Sequence, residues 1–192
     1  MKAAVLVEPN RVVVRAIQEP QPGPCEVLVD VESCGVCATD VKKFTGASKA
    51  PKLPFILGHE PAGVVREVGP GVGSDLTPGT RVAVAPVFTC GHCPGCRSGR
   101  VASEGMGMCD NYDVLGYSID GAFAEAVVAP MQHVHPLPPD LSFRDAALIE
   151  PVAACINGVQ RVIDSPPGNV VVIGAGFMGL VSIQLLALLG NR

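Results

Sequence analysis

Through roughly residue 140 the chain alternates short apolar runs with turn-forming residues. Ala3–Val7, Arg11–Ala16, Val27–Val31, Gly63–Val68, Arg81–Val84 and Ala122–Val128 each have the length and valine content of a strand. Between them lie Glu8-Pro9-Asn10, Pro22-Gly23-Pro24, Gly69-Pro70-Gly71 and Thr77-Pro78-Gly79, which fix or free the backbone in the ways tight turns need. Many short strands at this spacing predict a barrel-like or sandwich-like first domain. No repeat or low-complexity tract interrupts it.

The pattern changes at Leu141. Ser142, with Asp145 three residues on, reads as a helix start close to a capping box. From Ala146 to Val162 the apolar positions recur with helical period, and Pro151 predicts two helical pieces meeting near Glu150-Pro151. Residues 164–169, rich in proline and glycine, predict a loop, after which Val170–Ile173 predicts a buried strand. Leu180–Leu189 predicts a helix packed on a sheet. One strand and one helix cannot close a sheet, so the second domain is expected to be incomplete within these residues.

Composition narrows the partners. The chain has 192 residues, 48% hydrophobic and 17% charged, enough to bury a core. Its net charge of −4, with no basic block, argues against nucleic acid or an anionic membrane surface. Glu8 follows too soon for an N-terminal signal core, and Ser182 and Gln184 interrupt the longest apolar stretch. A soluble, cytoplasmic protein is expected. In that setting the eight cysteines point to metal rather than disulfides.

Cys90, Cys93 and Cys96 stand at C-x2-C-x2-C spacing, and Cys109 is the next cysteine. Three thiolates in a tight loop with a fourth from downstream suit a closed, structural zinc site. His92 inside the loop is expected to be solvated. Cys25, Cys34 and Cys155 are left as small core or surface residues. Cys37 and the pair His59-Glu60 carry little weight individually, since a lone histidine is more often a satisfied polar residue than a ligand. Gly174-Ala175-Gly176-Phe177-Met178-Gly179, between a predicted strand and a predicted helix, has the form of a dinucleotide-binding loop.

Gly58-His59-Glu60-Pro61-Ala62-Gly63 through Gly69-Pro70-Gly71-Val72 resembles the zinc signature of the medium-chain alcohol dehydrogenases. The resemblance extends through Gly35–Asp40, the cysteine lobe at 90–109, Leu148-Ile149-Glu150-Pro151 and the Gly174–Gly179 loop, in the family's order. It implies a mixed architecture: a GroES-like β-barrel catalytic domain over residues 1–150, then the first βα unit of a truncated Rossmann domain over 151–192. It also implies two zinc ions, one catalytic and one structural, with NAD or NADP as the hydride carrier. Cys37 and His59 would hold the catalytic zinc, with Glu150 as a further ligand in the manner of sorbitol and other polyol dehydrogenases. Glu60 would be a nearby carboxylate able to reach the metal, Asp40 the partner that fixes the His59 tautomer, and Thr39 the hydroxyl that relays the substrate proton. Gly174, Gly176, Phe177, Met178 and Gly179 would receive the cofactor pyrophosphate.

The sequence departs from that family in three places. Lys42 occupies a position where many relatives carry a histidine that ends the proton relay. Twelve residues separate the fourth lobe cysteine from the third where relatives usually have seven, which puts Glu104 at the usual position. The residues after Cys109 fit the family's continuation, so Cys109 is the expected ligand, with Glu104 as an alternative oxygen ligand. The acidic residue that would hold the adenosine ribose is expected about 20 residues beyond the glycine loop, past Arg192, so NAD and NADP are not distinguished. The expected function, in a longer chain extending this one, is oxidation of a secondary alcohol or polyol. Relatives commonly form homo-oligomers through the second domain, and the oligomeric state here is left open. A non-catalytic zinc-binding GroES-like module or inactive fragment, and a zinc-free quinone reductase relative, are the alternatives. Intact Cys37, His59 and Glu150 weigh against the last.

Overall fold

The computed structural model describes residues 1–99, 109–162 and 168–191. The chain divides into two compact units, Met1–Ala147 and Leu148–Arg192.

In the first unit β1 (Lys2–Glu8) lies between β2 (Arg11–Ala16) and β4 (Phe55–Ile56), both antiparallel to it. A five-stranded antiparallel sheet centres on β3 (Glu26–Gly35) and β5 (Glu60–Val68). β6 (Arg81–Val84) pairs with β5 and with β10 (Val134–Pro136), while β9 (Ala126–Pro130) pairs with the other edge of β3. A small ribbon joins β7 (Val87–Phe88) to β8 (Asp113–Val114). Val27, Val29, Val65, Val82, Val127 and Ala129 form the buried centre. Burying each valine is worth about 1.5–3 kcal/mol, so a one-residue slip, which would turn these side chains to the opposite face, is strongly disfavoured.

The pairing of β3 with β5 shifts register between Leu28 and Val29 and again between Val31 and Ser33. Such bulges bend a strand and raise its twist, so the sheet curls. They also carry β3 past Val31, where its apolar run ends, to a final pair of Gly35 opposite Glu60. That pair places Cys37, two residues beyond Gly35, beside His59, the residue before Glu60.

The strand predicted over Ala122–Val128 begins later, at Ala126. Gly121, Ala122 and Phe123 instead donate to the carbonyls of Ile56, Gly58 and Leu57 at 2.8–2.9 Å. A helix that the hydrophobic pattern does not predict, α1 (Ala38–Thr45), follows Cys37. It ends at Gly46, whose φ of 80° lies in the left-handed region that glycine adopts without strain. The short α2 (Pro94–Arg97) lies in the cysteine lobe. Ser142 caps α3 (Phe143–Ala146), its hydroxyl accepting from Asp145 N–H at 3.1 Å, as its pattern predicts.

The second unit consists of α4 (Ile149–Val162) and α5 (Phe177–Leu188), which touch each other. The helical break falls at 147–148, three residues before the predicted junction, and Pro151 sits in the first turn of α4. An absent N–H costs nothing there, because first-turn amides have no intrahelical acceptor. Val170–Ile173 is not a buried strand. It has no ladder partner among the described residues, and Val171 and Ile173 are 86% and 97% exposed. A strand needs a neighbour to pair its backbone groups, and apolar sequence does not supply one. For the same reason α5 packs on α4 here rather than on a sheet.

Candidate functional site

Among the described residues of the first unit, two groups of side chains able to hold a metal ion assemble. In one, a ligand atom from each of Cys37, His59 and Glu60 lies within 4.8 Å of the others. Zinc bonds of about 2.0–2.3 Å separate tetrahedral ligand atoms by roughly 3.3–3.8 Å, so small side-chain rotations would close this set on one ion. A thiolate, an imidazole and a carboxylate form a zinc donor set with room for another ligand.

The backbone supplies the convergence. Cys37 is the residue before α1, and Asp40, in that helix's first turn, accepts from Cys37 N–H through Oδ2 at 2.9 Å. Its other oxygen, Oδ1, accepts from Gly58 N–H at 3.1 Å and lies 3.5 Å from His59 Nδ1. Asp40 is only 3% exposed, and one carboxylate thereby ties both ligand-bearing segments together. Burial alone would raise its pKa, but His59 and the amides of Cys37 and Gly58 together hold it below the ordinary carboxylate value. Burial likewise opposes charge on His59, yet Asp40, with help from Cys37, carries the metal-free imidazole up to about 9. With a neutral ring, the Asp40 contact favours the proton on Nδ1 and leaves Nε2 as the donor for a metal.

The Thr39 hydroxyl donates to Cys37 Sγ at 3.0 Å, so it sits directly beside the candidate thiolate. Lys42 is exposed on α1. Its neighbour Lys43 is buried, donating to the carbonyls of Lys49 and Tyr117 with its ammonium 3.9 Å from the Tyr117 ring centroid. Cys34 is inert by contrast: burial pushes its thiol up to about 12, overriding the Glu60 backbone bond that lowers it. Gly35 has a role that its place in the sequence does not reveal. A Cβ there would stand 1.8 Å from Glu60 Oε2, so only glycine lets the Glu60 carboxylate occupy this position.

The second group is Cys90, Cys93, Cys96 and Cys109. Sulfur separations are 3.5 Å for 93–96, 3.6 Å for 90–109 and 4.0 Å for 90–96. A tetrahedron of thiolates at a zinc–sulfur distance of about 2.3 Å has an edge of about 3.8 Å, and the observed values bracket it. Cys96 N–H points at Cys93 Sγ and Cys90 N–H at Cys109 Sγ, as suits negatively charged sulfur. The amides of Asp110 and Cys96 bring the Cys93 thiol down to about 6. His92 is exposed, its Nδ1 at 2.8 Å from Cys90 O, outside the sulfur cluster. Glu104 lies outside the described residues.

In the second unit each motif glycine has a distinct geometric job. Gly174 turns the chain at a φ of 106°, Gly176 precedes the first turn of α5, and a Cβ on Gly179 would come within 1.8 Å of Gly174 O. A tight turn, an unobstructed helix N-terminus and a close loop–helix contact are what a pyrophosphate-binding loop requires. Phe177 and Met178 open the helix, and Cys155 Sγ of α4 lies 3.5 Å from Met178 Sδ. Glu150 sits in the first turn of α4.

The chain is similar to known proteins over most of its length. The family profile described as the alcohol dehydrogenase GroES-like domain matches residues 23–139. An alcohol dehydrogenase from Geobacillus stearothermophilus is 37% identical over 99% of this chain and 56% of its own length. The crystal structure of galactitol-1-phosphate dehydrogenase from Escherichia coli superposes with a TM-score of 0.87 at 34% identity, covering 100% of this chain and 54% of that one. A cobalt- and zinc-bound thermostable alcohol dehydrogenase from Pyrobaculum aerophilum gives a TM-score of 0.88 at 33% identity, covering 100% and 57%. The chain thus spans about half the length of the relatives it matches.

Proposed function

This chain belongs to the alcohol dehydrogenase GroES-like family, and from that premise we propose that the protein oxidises secondary alcohols or polyols with zinc and NAD or NADP. The observation that carries the reading is the convergence of Cys37, His59 and Glu60 on one point, with Asp40 behind His59. Cys37 and His59 are the residues that would hold the catalytic zinc, and Cys90, Cys93, Cys96 and Cys109 those that would hold a structural one. Glu150 is assigned to the catalytic metal by the resemblance of residues 148–151 alone. It is also what tilts the substrate class toward polyols, a class to which the galactitol-1-phosphate enzyme's name belongs.

When bound, the zinc supplies a Lewis acid that lowers the pKa of an alcohol hydroxyl toward neutrality. The nicotinamide supplies the hydride acceptor. The chain's own residues do the remaining work. Asp40 orients His59 and keeps its proton on the nitrogen away from the metal. Thr39, whose hydroxyl lies 3.0 Å from Cys37 Sγ, would take up the substrate proton and pass it outward, a role suited to a hydroxyl that both donates and accepts. Lys42, exposed on the same helix, is the candidate for the outer end of that relay. The turn at Gly174 and the open start of α5 at Gly176 would face the cofactor pyrophosphate, with the amides of Phe177 and Met178 beside it.

The test is reduction of NAD or NADP, followed by absorbance, with a panel of secondary alcohols and polyols. Zinc-dependent turnover that disappears in Cys37→Ser is the expected result. Turnover unchanged in that variant would overturn the catalytic assignment.

A further inference from the structure

Resting on the zinc reading of Cys37 and His59, we propose that Gly116, Gly121 and Phe123 form a backbone clamp that positions His59. None of the three is a metal ligand, and all lie far along the chain from His59. Their contact is with Leu57-Gly58, the dipeptide immediately before it.

Hydrogen bonds set the frame of the clamp. Gly121 N–H donates to Ile56 O at 2.8 Å, Phe123 N–H to Leu57 O at 2.9 Å and Ala122 N–H to Gly58 O at 2.9 Å. Asp120 closes the start of the segment, its Oδ1 accepting from Ile56 N–H at 3.0 Å.

Close packing then removes the remaining freedom. A Cβ on Gly121 would lie 2.4 Å from Gly58 O and 2.5 Å from Leu57 O. One on Gly116 would lie 2.5–2.9 Å from the carbonyl and amide atoms of Gly58. From another side the Phe123 ring leaves 2.5–2.9 Å for any Cβ on Gly58 itself. Gly58 is therefore held by backbone on one side and by an aromatic ring on another.

This confinement reaches the metal site through one carboxylate oxygen. Gly58 N–H donates to Asp40 Oδ1, the same oxygen that faces His59 Nδ1. A shift of Gly58 thus moves the His59 backbone and disturbs its orienting partner together. Outer residues that orient a ligating histidine are worth about ten- to a hundredfold in metal affinity.

Gly121→Ala is the cleanest perturbation, because its backbone lies outside the left-handed region and the atoms nearest the added methyl are carbonyl atoms of Leu57 and Gly58. Gly73→Ala is the control, since a Cβ there meets nothing within 4 Å. The experiment titrates the metal-free 192-residue chain with cobalt(II). Absorption separates an all-sulfur site from one with a single thiolate.

The wild type should bind cobalt at both sites, and Gly73→Ala should match it. Gly121→Ala should keep the cysteine-lobe spectrum while the Cys37–His59 signal weakens by about ten- to a hundredfold and shifts in band position. Wild-type affinity and spectrum at both sites in Gly121→Ala would overturn the clamp while leaving the zinc reading intact. A wild-type chain with only the lobe signal would remove the zinc reading and the clamp with it. If Gly121→Ala loses the lobe signal as well, Phe123→Leu decides, because it loosens the clamp without a clash. Selective weakening then supports the clamp, and wild-type binding overturns it.

Discussion

Asp40→Asn tests the linkage at the centre of the site with almost no change of shape. In the wild type, Oδ2 accepts from Cys37 N–H at 2.9 Å and Oδ1 from Gly58 N–H at 3.1 Å. An asparagine keeps one oxygen, so its amide nitrogen must confront one of those two N–H groups as a second donor. A buried donor left without a partner costs about 1–3 kcal/mol. For a chain of this size about 2 kcal/mol lowers the melting temperature by roughly 4–8 °C. The assay is thermal unfolding of the metal-free chain by circular dichroism, wild type against variant, from neutral to acid pH. Asp40 is held below the ordinary carboxylate value, so its ionised form contributes stability above the unfolded pKa of about 3.9. That contribution is lost as pH falls through the lower folded value. Asp40 also carries His59 up to about 9, a contribution fully present only below the unfolded value of about 6.5, so the gap should widen from neutrality into mild acid and narrow in stronger acid. Equal melting temperatures at neutral pH, or a gap that does not narrow in strong acid, would refute the reasoning.

Two further outcomes follow from the cysteines. In the native zinc-loaded chain an alkylating reagent should modify the exposed Cys25 readily and leave Cys34 and Cys155 untouched, because burial keeps the Cys34 thiol protonated and hides Cys155. Mass mapping of the labelled peptides checks this, and early labelling of Cys34 would contradict it. Cys109→Ser should weaken zinc binding at the lobe and lower the melting temperature of the zinc-loaded chain, since binding of structural zinc is coupled to folding. Calorimetric titration and thermal unfolding with zinc present give both readouts, and unchanged affinity would exclude Cys109 as a ligand.

The sequence reveals the lobe best because its chemistry is local. Cys90, Cys93 and Cys96 announce a metal loop by spacing alone, and only the fourth ligand needs the fold to bring Cys109 to 3.6 Å from Cys90. Cys37 and His59 lie 22 residues apart in sequence (59 − 37 = 22). They become a pair through family resemblance or through the Gly35–Glu60 register, not through periodicity. The α1 helix goes unpredicted because its start rests on the Cys37–Asp40 backbone bond rather than on an apolar stripe. Val170–Ile173 misleads for the opposite reason, being apolar enough for a buried strand but without a partner here. The clamp at Gly116 and Gly121 leaves no legible trace, since a glycine that admits a neighbouring backbone looks in sequence like one that makes a turn.

Native mass spectrometry of the zinc-loaded chain, wild type beside Cys37→Ser, tests the central claim most directly. Two zinc ions in the wild type and one in the variant are predicted, since the cysteine lobe does not involve Cys37. One zinc in the wild type, or two in Cys37→Ser, would contradict a metal centre built on Cys37 and His59.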